Sequence, residues 1–252
     1  MPPADGKPGD VIPSEPGQST QHFKLDVQFP VYALEFTADK IVILAGGGGS
    51  SRTGVKNRLS MYAIDTTTKQ FTLIKEHELS KEEDAPMSIA VNPATKAIIA
   101  GINSTEAKLK EGINENLRVF EYDDTSIKSI SSHSTLLSHS PDDYQKCTSF
   151  SRPSPTSTSQ FLAIGSTNSQ LSLLSYPSLK PIFPPIKYDE KDEIYDVDFN
   201  DESSWVVGCS GLKVQVWSTE ANGAGEGGGR MVQVIERPVG KKGVTCSFRA
   251  AK

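Results

Sequence analysis

The chain has 252 residues, of which 36% are hydrophobic and 23% are charged, a balance that argues against a wholly disordered protein. Its formal net charge of −5 argues against nucleic acid as a partner, because nucleic-acid binders carry a basic face or stripe. No run approaches the ~18 consecutive apolar residues that a membrane-spanning helix requires.

The start of the chain is predicted to be a disordered arm. Residues 1–21 are rich in Pro, Gly, Ser and Gln, a composition that cannot bury a core. Residues 22–28 then alternate between apolar and polar side chains, which predicts an extra strand that pairs with the last repeat unit. Three cysteines, Cys147, Cys209 and Cys246, lie far apart in apolar stretches. They are predicted to be buried free thiols in a reducing compartment.

Short strand patterns recur in a fixed order from residue 33 onward. The first pattern ends in an aliphatic or aromatic residue and occurs at residues 33–36, 88–91, 147–150, 196–199 and 245–248. The second is apolar and ends in glycine, at residues 43–46, 98–101, 162–165 and 205–208. The third occurs at residues 59–62, 117–120, 171–174 and 214–217, and a looser fourth at residues 71–74 and 231–235.

This recurrence predicts an all-β fold, a WD40-type β-propeller built from four-stranded blades. Four blades and the start of a fifth are expected within one partial domain, residues 22–252, at residues 29–79, 86–135, 145–187, 194–236 and 243–252. The glycine that closes each second strand is predicted to occupy a tight turn, where a left-handed backbone suits glycine. A two-sheet sandwich remains the alternative fold. An open partial ring would expose strand edges and apolar faces, so poor solubility of the isolated chain is expected.

The most unusual segment is the glycine-rich stretch at residues 46–57, inside the first blade. Four successive glycines are expected to expose backbone amides and carbonyls, which can hold an anion or a cation. The stretch is not a phosphate-binding P-loop, because Val55 follows Gly54 and a strand comes next. Residues 223–228 match a dinucleotide fingerprint, but no helical pattern follows them, so they are interpreted as a flexible insertion.

Groups suited to covalent catalysis are not evident in the sequence. The four histidines have no cysteine or acidic partner at metal-ligand spacing, and no nucleophile-elbow pattern occurs. The acidic runs at residues 81–84 and 189–193 are interpreted as solvated loops. The chain is therefore expected not to be an enzyme of covalent chemistry. A small-ligand site in an axial channel, near Asp196 and Asp198, is the weakest alternative.

The glycine stretch also resembles a known family. Four glycines, seven further residues, Asn57 and then Leu59 are similar to the ion-binding loop of the endoplasmic-reticulum guanine-nucleotide exchange factors for the COPII-initiating small GTPase. The animal member of this WD-repeat family is the prolactin regulatory element-binding protein. Further similar stretches lie at residues 29–32 with Phe36, at residues 103–105 and 116–120 with Tyr122, and at residues 142–144.

The resemblance implies a seven-bladed propeller at the cytosolic face of the endoplasmic reticulum, tethered by a transmembrane helix after the propeller. About two blades and this anchor are absent from the chain, which suggests a fragment of a longer protein. The implied partner is the small GTPase of the COPII coat, with no nucleic acid, and membrane contact only through the anchor. A passive WD-type scaffold, or a fragment without activity of its own, are the alternatives.

The resemblance also implies a potassium ion and a set of site residues. The loop would insert between the switch regions of the GTPase and drive GDP release. The exchange loop would comprise Gly46, Gly47, Gly48, Gly49, Gly54, Val55 and Asn57. The potassium site would comprise the backbone of Gly47, Gly48 and Gly49 together with Asn57. No organic cofactor is expected.

Overall fold

The computed structural model describes residues 23–37, 40–50, 54–153, 160–189, 191–221, 229–238 and 247–250, and these ranges are almost entirely β-structure. Four antiparallel sheets follow one another along the chain. Sheet 1 contains β1 (Val31–Phe36), β2 (Ile41–Gly46), β3 (Arg58–Asp65) and β4 (Gln70–Glu78). Sheet 2 contains β5 (Glu83–Asn92), β6 (Ala97–Ser104), β7 (Leu117–Tyr122) and β8 (Ile127–His133), with the short helix α1 (Glu106–Lys110) between β6 and β7.

The last two sheets continue the same order. Sheet 3 contains β9 (Gln145–Phe150), β10 (Gln160–Ser166) and β11 (Gln170–Tyr176), with the short strands β12 (Lys180–Pro181) and β13 (Ile186–Lys187) both pairing with β11. Sheet 4 contains β14 (Ile194–Phe199), β15 (Trp205–Ser210), β16 (Lys213–Ala221) and β17 (Gly229–Glu236). The prediction of an all-β fold is confirmed.

The four sheets are arranged through their first strands. β1 contacts β5, β5 contacts β9, and β9 contacts β14. Each sheet therefore packs on the next with its first strand innermost, which is the arrangement of blades in a β-propeller. The order is propeller-like over all four sheets.

The hydrophobic core lies between neighbouring sheets. β6 shows this best, because every one of its residues is buried. Ile98 and Ile102 pack in the cluster shared with sheet 1, whereas Ile99 packs in the cluster shared with sheet 3. A strand covered on both faces needs apolar residues at consecutive positions, which explains its unbroken apolar run.

The glycines of the second strands do not occupy turns as predicted, and even Gly46 is the last residue of β2, paired with both neighbouring strands. Gly101 and Gly165 lie inside β6 and β10. A Cβ on Gly101 would lie 2.8 Å from the backbone oxygen of Gln145, and one on Gly165 would lie 2.5 Å from Ile194 Cγ2. Gln145 and Ile194 belong to the next sheet in each case. The glycines are therefore required because neighbouring sheets approach closely, not because the backbone is left-handed.

The predicted strand at residues 22–28 is not formed in its described part, residues 23–28. The ring of Phe23 instead packs against Phe71 of β4, with centroids 5.1 Å apart. This segment therefore joins the fold through side-chain packing rather than by backbone pairing. Residues 1–21, 223–228 and 245–246, with Cys246, lie outside the described residues, and residues 247–248 are not in a strand.

One face of β1 is apolar and open. Tyr32, Leu34 and Phe36 alternate along the strand and are 47%, 55% and 57% exposed.

Helix α1 has five residues, and no helix in the described ranges has the length and apolarity to cross a bilayer.

Two of the three cysteines lie within the described residues, and both are free thiols. Burial, with a smaller contribution from the Asp196 carboxylate, raises the pKa of the Cys147 thiol well above its ordinary value. Burial also raises the pKa of Cys209 to about 11. Both side chains are therefore protonated at neutral pH, which suits a structural role.

Candidate functional site

The glycine stretch starts at the end of β2. Gly46 pairs with Arg58 of β3, and a Cβ on Gly46 would lie only 1.9 Å from the backbone oxygen of Pro30. The N–H of Gly47 donates to the same oxygen, at 2.9 Å. Both glycines are buried, although exposed backbone was predicted along the whole run. The segment that leads into β1 covers them.

Asn57 closes the base of the loop. Its Oδ1 accepts a hydrogen bond from the N–H of Gly49 at 2.9 Å, and its Nδ2 donates to the backbone oxygen of Glu83 at 3.2 Å. The N–H of Gly48 donates across the loop to the backbone oxygen of Val55 at 3.2 Å. The two sides of the loop are thus joined to each other, and Asn57 also ties them to β5 of sheet 2.

The structure brings six of the predicted loop residues together at this base: Gly46, Gly47, Gly48, Gly49, Val55 and Asn57. The seventh, Gly54, makes no contact there with another described residue, chain neighbours aside. Gly54 is exposed and has φ +78°, and apart from its chain neighbours no described residue has an atom within 4 Å of the position that a Cβ would take. Residues 51–53, at the tip, lie outside the described residues.

Arg58 fixes the exit from the loop. Its guanidinium lies over the ring of Phe29, 5.2 Å from the centroid, and its Nη1 is 2.9 Å from Glu76 Oε1. Phe29 is 7% exposed. This cation–π contact links the strand after the loop to the segment before β1. It gives a physical reason for the resemblance at residues 29–32, which the sequence left without a role.

The acidic run at residues 81–84 is not a solvated loop over its whole length, contrary to the prediction. Glu83 and Asp84 begin β5 and are only half-exposed. Glu83 Oε1 lies 3.3 Å from Nε of Arg118, whose side chain is 8% exposed. In the run at residues 189–193, Asp192 is buried and accepts a hydrogen bond from Ser210 Oγ at 2.5 Å. A charge run alone does not reveal which members will be paired inside the fold.

The loop base separates two open clefts. One, of about 420 Å³, lies between the loop and α1 and has charges of both signs, including Lys56, Glu78 and Glu106. The other, of about 290 Å³, lies towards sheet 3 and contains Asp84 and Asn103. The second cleft could not be predicted from the sequence, because its residues come from separate sheets.

The oxygens at the loop base are of the chemical type that binds potassium. The backbone carbonyls of Gly47, Gly48 and Gly49 and the Oδ1 of Asn57 are neutral oxygens, and potassium is bound in proteins by oxygens of this kind. Asn57 Oδ1 accepts one hydrogen bond and has a second lone pair. Within the described residues, no group of three or more His, Cys, Asp or Glu side chains is placed to hold a metal ion.

Comparisons with known proteins give partial matches. No protein-family model matches the chain. The guanine nucleotide-exchange factor SEC12 of Candida glabrata is 32% identical over 130 residues, which cover 50% of this chain and 28% of SEC12. A candidate guanine nucleotide-exchange factor of the same organism, SED4, is 25% identical over 201 residues, which cover 77% of this chain and 18% of SED4.

SED4 of Saccharomyces cerevisiae, also a candidate exchange factor, is 27% identical over 109 residues, 42% of this chain and 10% of that protein. The chain spans less than a third of the length of the curated relatives that it matches. Among solved structures, a candidate 6-phosphogluconolactonase of Bacteroides fragilis superposes with a TM-score of 0.56 at 14% identity, covering 85% of this chain and 59% of that one. This last likeness concerns the fold alone.

Proposed function

We propose that the chain is part of a guanine-nucleotide exchange factor of the SEC12 kind. It would promote GDP release from the small GTPase that starts COPII coat assembly, at the cytosolic face of the endoplasmic reticulum. The loop at residues 46–57 is the exchange element. The observation that carries the proposal is the anchored base of this loop. There the N–H groups of Gly47, Gly48 and Gly49 donate to Pro30, Val55 and Asn57, and the side chain of Asn57 donates to Glu83 of sheet 2.

Exchange of this kind needs no covalent step. A GTPase holds GDP tightly, and a partner that binds the nucleotide-free form better must weaken GDP binding by the same factor. The partner therefore needs a surface that keeps its shape when it displaces the switch regions. The clamped loop base meets that need because its geometry is fixed before binding.

Potassium would contribute by fixing the loop further. Gly47, Gly48, Gly49 and Asn57 would hold the ion through their oxygens, and its charge would oppose mutual repulsion among carbonyl dipoles. The chain's own hydrogen bonds at the base would define the loop in any case, since they join Gly47 to Pro30 and Gly49 to Asn57.

The test is release of a fluorescent GDP from the purified GTPase by the full-length protein. Replacing residues 47–56 by a short Gly-Ser turn should abolish acceleration. The same replacement of the β3–β4 turn, residues 66–69, is the control and should leave the rate unchanged. Equal rates for the native loop and the Gly-Ser turn would favour a non-catalytic WD-type scaffold. Exchange of potassium chloride for choline chloride at equal ionic strength should slow the native reaction.

A further inference from the structure

A β-bulge forms one wall of the cleft between the loop and sheet 3. In the pairing of β5 with β6, Glu83 is opposite Ser104 and Pro86 is opposite Ile102. Two residues of β5, Asp84 and Ala85, therefore face the single residue Asn103 of β6. A bulge of this kind turns side chains away from the regular alternation of the strand. It explains how Asp84 and Asn103 come to line the same cleft.

Asp84 brings a carboxylate that has no counter-ion within the part of the chain that the structure describes. Its Oδ1 accepts a hydrogen bond from the neighbouring N–H of Ala85 at 2.7 Å. No ion pair to Asp84 occurs among the described residues, although Glu82 and Glu83 on the same segment are both paired with cations. Gly49 lies against this carboxylate, since a Cβ there would be 3.3 Å from Asp84 Oδ1. The acid thus sits directly beside the exchange loop.

Asn103 brings a buried oxygen with no hydrogen-bond partner. The side chain is 6% exposed, and its Nδ2 donates to the backbone oxygen of Asp143 at 2.9 Å. That bond fixes which way the amide points, and it leaves Oδ1 buried without a hydrogen-bond donor in the described structure. Buried polar atoms in native proteins nearly always have partners, so an orphaned acceptor at a cleft wall points to a donor that arrives with a ligand.

The remaining walls complete the chemistry of the cleft. Tyr32 and Tyr144 contribute aromatic rings, and Met87 contributes an apolar thioether. Among the described residues that line this cleft, none is Lys or Arg. A carboxylate, an amide oxygen and two aromatic rings together favour a planar cation with several N–H donors. A guanidinium group fits this description, because it can donate to both oxygens while it stacks on a ring.

We propose that this cleft binds an arginine side chain of the partner GTPase, with Asp84 and Asn103 as the two acceptors. The inference rests on the proposed function and adds a specificity contact to the exchange loop. An anionic pocket beside the loop would also orient the GTPase during encounter, because complementary charge governs the association rate and the choice of partner.

The first experiment compares Asp84→Asn with Asp142→Asn in the exchange assay. Asp84→Asn keeps an oxygen for the Ala85 N–H and removes only the charge, and Asp142 is an exposed acid two residues before Tyr144. Asp84→Asn should lower kcat/KM about tenfold or more, whereas Asp142→Asn should stay within about twofold of the native protein. Equal effects of the two variants would overturn the inference while leaving the exchange function intact.

The second experiment detects the cleft without any GTPase. Ethylguanidinium chloride is titrated into ¹⁵N-labelled protein, and the side-chain amide resonances of Asn103 are followed by NMR. We expect a saturable shift in the native protein, a loss of that shift in Asp84→Asn, and no equivalent shift with sodium chloride added at the same ionic strength over a constant potassium background. Equal shifts with sodium chloride would show an inorganic cation site and would refute the arginine proposal. If the native protein fails to release GDP, the proposed exchange function is wrong. The titration then still shows whether the cleft binds a guanidinium group.

Discussion

Replacing Gly47 by alanine is the sharpest test of the loop geometry. The residue has φ +149°, which costs a residue with a side chain about 1–3 kcal/mol. The new Cβ would also lie 2.5 Å from Asn57 Cα and 2.8 Å from the Lys56 backbone oxygen. Overpacking of this severity adds about 1–3 kcal/mol, so the total is about 4 kcal/mol. Because the obstructing atoms belong to the backbone, the structure can relax only by moving residues 56–57, which breaks the clamp.

Gly54→Ala supplies the matched control. Gly54 also has a positive φ, +78°, but its added Cβ would have no atom of another described residue within 4 Å, chain neighbours aside. The cost is therefore about 1–2 kcal/mol of backbone strain alone. The two variants thus differ by about 3 kcal/mol in the cost of keeping the native loop conformation. If only that conformation is active, this difference lowers its population, and therefore the exchange rate, about a hundredfold. Stopped-flow release of fluorescent GDP and the Tm should be measured for both variants. If Gly47→Ala exchanged GDP as fast as Gly54→Ala, the anchored base could not be the source of activity.

Two further predictions concern Asn57 and Cys209. Asn57→Ala removes the bonds to Gly49 and Glu83, each worth about 1 kcal/mol, and should slow exchange about tenfold or more. Lys56→Ala removes only an exposed ion pair to Glu78 and should change the exchange rate little. Equal losses of exchange rate in Asn57→Ala and Lys56→Ala would contradict the anchoring role of Asn57. Since the pKa of Cys209 is raised to about 11 from 9.0, its stabilising contribution is complete below pH 9 and is lost as the pH rises towards 11. Urea unfolding between pH 8 and 10.5 should show this loss, and Cys209→Ala should reduce the slope of the profile without removing it, because the raised pKa of Cys147 contributes over the same range. A slope unchanged by Cys209→Ala would refute the assignment.

The strands could be predicted because a strand packed between sheets needs apolar side chains, and such runs are visible in the sequence. The second strands carry runs of apolar residues, and β6 and β10, those of the two inner sheets, lie between two neighbouring sheets. The purpose of the glycines could not be predicted in the same way. A glycine required by an approaching neighbour and a glycine required by a turn look alike in a sequence, and only the 2.8 Å approach of Gln145 to Gly101 distinguishes them.

The glycine loop was recognisable, but its support was not. Gly46 to Asn57 is continuous in sequence, so its unusual composition can be seen without a structure. Pro30 and Glu83, which hold its base, are ordinary residues at distant positions. Asp84 was misjudged as part of a solvated acidic run, because the bulge that turns it towards Asn103 depends on the register of two strands. Register of this kind has no signature in a single sequence.

Because the loop is rich in glycine, it depends on its anchoring contacts to keep its shape while it displaces the switch regions of a GTPase. Fixing one residue's backbone costs about 1–2 kcal/mol, and glycine costs the most, so an unanchored glycine loop would lose on the order of 10 kcal/mol when it ordered against a partner. The hydrogen bonds of Gly47, Gly48 and Gly49 meet much of this cost during folding, before the partner arrives. Asn57 extends the support to β5, whose Ile89 lies in the core shared by sheets 1 and 2. A load on the loop is therefore transmitted to a packed junction between two sheets, and contacts at the base should govern exchange more strongly than the side chains at the tip.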